Sequence, residues 1–182
     1  MFSRFLAISF FLATPACVGA ETTDVQIAEV VVQTAKDHFA IHENVRSSGS
    51  ALAPSHSGLT EVQYNLPSGE RFATYYVNSD GALSELVING PTSEQYVKTP
   101  SRRFFLERLI GLMAPQSTSK ERVWAAGQLD GVWTERVRPL PVQVGNYVFD
   151  GGVVRSPKGA HDNFKIIAVG TGATGLKFQS TP

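Results

Sequence analysis

Residues 59–88, LTEVQYNLPSGERFATYYVNSDGALSELVI, decide how this chain folds. Leu59 to Asn65 alternates between apolar and polar side chains, and Leu66-Pro67-Ser68-Gly69 then supplies turn chemistry. Arg71 to Val77 carries Phe72, Tyr75, Tyr76 and Val77, residues that favour a pleated, half-buried surface. Asn78-Ser79-Asp80-Gly81 is a second turn, with a glycine free to take positive φ. Ala82 to Ile88 completes a third run before Asn89-Gly90-Pro91. Three short strand-like runs joined by two tight turns predict an antiparallel meander.

A meander with one apolar face needs a cover, and helical patterns flank it on both sides. Thr99-Pro100 opens the downstream helix with a capping hydroxyl and a proline at the first helical position. Phe105, Leu109, Leu112 and Met113 share one face of it, Arg102, Arg103, Glu107 and Arg108 lie elsewhere, and Pro115 ends it. Upstream, Ile27, Val30, Val31, Thr34, Ala35, His38 and Ile41 follow the helical spacing, predicting a helix over 24–42. Ser47 to Gly58, SSGSALAPSHSG, reads as a loop.

The last third reads as β. Asp130-Gly131 suits a tight hairpin between Glu121–Leu129 and Val132–Val137. Thr118 followed by Glu121 is equally a helix capping box, so 119–129 stays open between strand and short helix. Beyond the rigid link Arg138-Pro139-Leu140-Pro141, the segments Val142–Phe149, Gly152–Arg155, Phe164–Val169 and Leu176–Gln179 are further candidate strands. The expected fold is α+β: an N-terminal helix, an antiparallel meander covered by a second helix, and C-terminal hairpins extending or closing the sheet. Ligand-binding barrels and cystatin-like wraps both fit this order, and fold alone does not give function.

Residues 1–20 carry the parts of a cleaved secretory signal. Arg4 precedes an uncharged, largely apolar run from Phe5 to Ala13, Pro15 interrupts it, and Val18-Gly19-Ala20 offers small residues for cleavage. Lipid attachment at Cys17 is the minor alternative, poorly served by Thr14 and Pro15 before it. Cleavage after Ala20 leaves a single globular domain over 21–182 without cysteine, which fits a bacterial periplasm or another exported location. No later stretch is apolar enough to span a membrane, so no integral membrane segment is expected once the signal is removed. The chain has 16 basic and 16 acidic residues without a basic block, which argues against nucleic acid as a partner.

Several motifs lack the context their chemistry needs. Gly170-Thr171-Gly172-Ala173-Thr174-Gly175 matches a dinucleotide fingerprint, but only seven residues follow it, too few for the helix, strand and ribose-binding acid. It is expected to be a connection between two strands. Ser117-Thr118-Ser119-Lys120 has the spacing of a β-lactamase nucleophile without the companion motifs. His38 and His42 would share a helix face and are the candidate metal ligands, although Phe39 stands where a metalloprotease has glutamate. Ser55, His56, His161 and Asp162 supply the residue types of a hydrolytic triad, with His161-Asp162 expected on a loop. No motif calls for a cofactor.

Aromatic residues give the remaining pointer. Tyr75 and Tyr76 are strand neighbours, so one of them must face away from the core. Exposed aromatics favour binding, and Tyr75, Tyr76, Trp124 and Trp133 are the candidate contacts. The expected function is an exported, non-catalytic binding or accessory protein whose partner is an envelope protein or a small ligand. The alternative is a small periplasmic hydrolase centred on histidine. A third reading is an envelope component that self-associates through strand edges.

Overall fold

The computed structural model describes residues 23–92, 100–130, 140–156, 159–169 and 179–180. Helix α1, Asp24–His38, precedes β1 (Val45–Ser50), β2 (Thr60–Asn65), β3 (Arg71–Val77) and β4 (Leu83–Asn89). Helices α2 (Pro100–Met113) and α3 (Ser119–Leu129) come next, followed by β5 (Val142–Val144), β6 (Tyr147–Ser156), β7 (Gly159–Ala168) and β8 (Gln179–Ser180). The architecture is α+β.

The strands form one sheet in the order β1-β2-β3-β4-β7-β6-β5-β8. All neighbours are antiparallel except β5 and β8. The meander and the C-terminal hairpin meet where β4 pairs β7, with Leu86 opposite Ile166 and Ile88 opposite Phe164. Strands β1 and β8 lie at the two ends of the order, so among the described residues the C-terminal strands extend the sheet rather than close it.

The helices cover one face. Ala28, Val31, Val32 and Ala35 of α1 join Leu106, Leu109 and Ile110 of α2 and Ala125, Ala126 and Leu129 of α3 in a single core. That core includes the inward row Val62, Tyr75, Leu86, Ile166 and Phe149, which are successive partners across five strands. Burying such a row removes apolar surface from water at about 25 cal/mol per Å2.

Four elements are decided by the structure: three depart from the sequence reading, and 119–129 resolves an alternative that the reading left open. First, α1 stops at His38 rather than His42, because Ala40 takes a left-handed φ of 53°. The N–H of Ile41 donates to the Lys36 carbonyl (2.9 Å) and that of Ala40 to Asp37 (3.3 Å), the paired bonds of a Schellman ending. This turn brings the Phe39 ring edge-on to Phe72 and Phe105. Second, Val45–Ser50 is a strand where a loop was expected from Ser47. All six of its residues are exposed, so main-chain pairing with β2 defines it and no apolar alternation announces it.

Third, 119–129 is helical. The Thr118 hydroxyl accepts from the Glu121 N–H (3.2 Å) and the Glu121 carboxylate accepts from the Thr118 N–H (2.6 Å), completing the capping box. Asp130 is the helix C-cap, not the first residue of a hairpin turn. Fourth, Gly145 (φ 57°) and Asn146 turn the chain inside the expected 142–149 strand, and β7 begins at Gly159, so His161 and Asp162 sit in a strand. Thr99, Val132–Val137 with Trp133, and the glycine-rich 170–175 lie outside the described residues.

One ion cluster ties the layers together. Arg102 of α2 is only 2% exposed, although the sequence placed it away from the helix's apolar face. Its Nε donates to Asp162 of β7 (2.7 Å) and its Nη1 to Asp130 at the end of α3 (2.5 Å). Its guanidinium also stands 5.2 Å over the Phe164 ring. Among the described residues no helix is long and apolar enough to cross a membrane.

Candidate functional site

Among the described residues no helix covers the second face of the meander, which is polar and carries a concentration of chemistry. On β3, Tyr75 points inward and is fully buried, whereas Tyr76 points outward. Glu61 of β2 and Glu85 of β4 stand directly opposite Tyr76 on either side. Arg71 joins this face through a β-bulge. Tyr64 pairs with Ala73 and Asn65 with Arg71, leaving Phe72 as the extra residue. In a regular ladder Arg71, two residues before Ala73, would share the inward parity of Ala73 and Tyr75.

The β1–β2 connection folds back over this surface. Its ends are pinned by the Ala51 N–H to the Leu59 carbonyl (3.0 Å), and a 3₁₀ turn occupies Pro54–His56. The His56 ring stacks on Tyr76 with centroids 3.8 Å apart and planes 14° from parallel. His56 Nε2 lies 3.6 Å from the Glu85 carboxylate, which Lys165 of β7 also approaches at 2.8 Å. The Tyr76 hydroxyl donates to Glu61 (2.9 Å), and Arg71 Nη1 is 3.9 Å from the same oxygen. Burial first, and the Glu61 carboxylate second, push the Tyr76 phenol up to about 12, so it stays a neutral donor. Between loop and sheet is a cleft of about 400 Å3, lined among others by Leu52, His56, Glu61, Gln63, Arg71 and Tyr76.

Tyr75 belongs to a different group on the helix side. Its hydroxyl and that of Tyr64 both donate to Glu29 of α1, at 2.6 Å for Tyr75, while Arg46 of β1 reaches the same carboxylate at 2.9 Å. Burial and the Glu29 acceptor raise both phenols well above their ordinary range. This group staples α1 to the first three strands. Trp124 of α3 packs partly against the core and lines a separate recess of about 260 Å3 with Thr118, Lys120 and Glu121. It lies on the helix side of the sheet, so Tyr76 and Trp124 do not share a site.

The histidines are dispersed. His42 follows the end of α1 and does not share a helix face with His38. Among the described residues no group of three or more His, Cys, Asp or Glu could hold a metal ion. His161 faces outward opposite Val154, while Asp162 faces inward to Arg102, as strand alternation requires. Only Ser55 and His56 of the triad candidates touch, at 3.1 Å from Ser55 Oγ to His56 Nδ1. The sequence offered no signal for Glu61, Arg71, Glu85 or Lys165, because strand register and one bulge decide that these four gather.

His38 stacks flat on Phe105, centroids 4.1 Å apart. Burial lowers its pKa below that of a free imidazole, Asp162 opposes the shift, and Arg102 adds to it. The unfolded chain therefore takes up this proton more readily than the folded one. The corresponding stability is present above the unfolded pKa of about 6.5 and declines as pH falls through it. Urea midpoints are expected to fall between about pH 7.5 and about pH 5.5, and His38→Phe, which keeps the stack, is expected to flatten part of that slope. An identical slope in the variant would rule out His38 as its source.

No protein-family model matches the chain, and no curated protein and no solved structure matches it either.

Proposed function

We propose that this is an exported, periplasmic binding or accessory protein of the cell envelope, without catalytic activity, whose ligand or partner docks in the cleft beneath residues 51–59. The observation that carries this reading is Tyr76. It is an aromatic on the polar second face of the meander, capped by His56 and bordered by a cleft of about 400 Å3. Small-ligand sites run from about 300 to 1,000 Å3 and combine aromatic walls with a few placed polar groups. The signal-like residues 1–20 supply the expectation of export.

Native mass spectrometry of protein recovered from its own envelope fraction tests the reading. The expected species begins at residue 21 and carries added mass that Tyr76→Ala and His56→Ala lose and Trp124→Ala keeps. Added mass that survives both cleft variants overturns the cleft as the docking site. A chain acylated at Cys17 overturns the soluble form.

A second reading, a small hydrolase centred on His56, is favoured by one chain of contacts: Ser55 to His56 at 3.1 Å and His56 to Glu85 at 3.6 Å. In a working triad the nucleophile meets Nε2 and the acid meets Nδ1; here the two ring nitrogens have the reverse partners. Glu85 is also matched by Lys165. Binding is therefore the better-supported reading. Covalent labelling of Ser55 by a fluorophosphonate, absent in Ser55→Ala, would reverse that order.

A further inference from the structure

We propose that the outer-face cleft takes a small organic acid bearing a planar ring, its carboxylate on Arg71 and its ring against the exposed side of the His56–Tyr76 stack. The proposal rests on the cleft being the binding site and names the chemistry of what enters it.

The charges of the cleft point to an anion. Glu61 already accepts the Tyr76 hydroxyl, and Glu85 is held between His56 and Lys165. Lys165 in turn is committed to Glu85 at 2.8 Å. Arg71 differs from both. Its nearest acid oxygen is 3.9 Å away, beyond hydrogen-bond reach, and its side chain is 52% exposed. A guanidinium held in place by a bulge, with its fork of donors open to the cleft, matches a carboxylate bidentately.

The rest of the lining points to a ring. His56 uses one face on Tyr76 and lines the cleft, with its side chain 18% exposed. Ala51 and Ala53 flank it in the same wall, and Leu52 at the rim is 96% exposed. An exposed leucine in the wall of the same cleft is apolar area that a flat ring would take out of water.

Benzoate is the probe, benzamide its neutral twin, and amide 15N–1H correlation spectra of the 21–182 chain the readout. Benzoate is expected to shift the signals of Glu61, Arg71 and Tyr76 saturably. Benzamide should bind at least about tenfold more weakly, since it gives up a charge-assisted hydrogen bond. Arg71→Gln should lose the same factor for benzoate and nothing for benzamide, and Arg71→Lys should recover part of it. Arg71 is half-exposed at the start of β3, and an unchanged spectrum away from the cleft checks that its variants fold. Equal affinity for both probes in wild-type protein overturns the acid specificity while leaving the cleft as the binding site. Shifts confined to other surfaces, or none at all, overturn the acid proposal alone; the cleft reading falls only if the added mass in the native spectrum survives Tyr76→Ala and His56→Ala.

Discussion

Arg102→Met is expected to lower the stability of this protein by about 3–5 kcal/mol, the usual consequence of removing one partner from a buried ion cluster. The side chain it replaces is among the largest fully buried ones, and it holds β7 through Asp162 and the end of α3 through Asp130 and the Leu129 carbonyl. Methionine fills much of the volume but leaves Asp162, itself 4% exposed, without its 2.7 Å donor. A carboxylate that has lost its guanidinium in that position either stays charged at a larger desolvation penalty or takes up a proton, and both weaken the fold. Urea unfolding at neutral pH measures the loss. Arg102→Met combined with Asp162→Leu should be more stable than Arg102→Met alone, because the buried charge that lost its guanidinium is gone. A single variant within about 1 kcal/mol of wild type would mean that the cluster holds nothing together.

What the sequence made legible follows from where tertiary contacts were not needed. The meander could be read because local signals agree: strand formers alternate, and Gly69 (φ 85°) and Gly81 (φ 78°) stand where positive φ is used. Strand β1 could not be read, because V-R-S-S-G-S has no apolar side to bury and owes its conformation to β2. At 119–129 two local signals competed. The capping box prevailed because the resulting helix buries Ala125, Ala126 and Leu129. The polar pair His161-Asp162 resembled a loop only because Arg102, sixty positions earlier, is invisible as a partner from sequence.

The site shows the same division. That one of Tyr75 and Tyr76 faces outward follows from strand geometry alone. Which one does so is fixed by Leu86 and Val62 meeting Tyr75 on the core side. The companions of Tyr76 come from four separate segments: the 3₁₀ turn, β2, β4 and β7. No spacing rule within a single segment could have gathered them.

Gly151→Ala is the second large effect expected, and it tests the other side of the same packing. Gly151 on β6 lies opposite Phe164 on β7. A Cβ built there would stand 2.6 Å from Phe164 Cδ1, 2.9 Å from the Asn163 carbonyl oxygen and 3.2 Å from Phe164 Cα. The ring has little room to withdraw, since Phe105 meets it edge-on at 5.7 Å and the Arg102 guanidinium lies over it. The carbonyl is main chain inside a paired strand and moves only if the ladder moves. Overpacking of this kind destabilises by about 1–3 kcal/mol, read as a lower urea midpoint with an unchanged slope. Gly49→Ala is the control. It lies on the exposed edge strand with nothing within 4 Å of its Cβ, and it should be neutral or slightly stabilising, since alanine narrows the unfolded ensemble. Equal midpoints for the two variants would show that the β6–β7 pair is loose enough to absorb a methyl group. The aromatic seat of Arg102 would then not be the rigid element that its ion cluster requires.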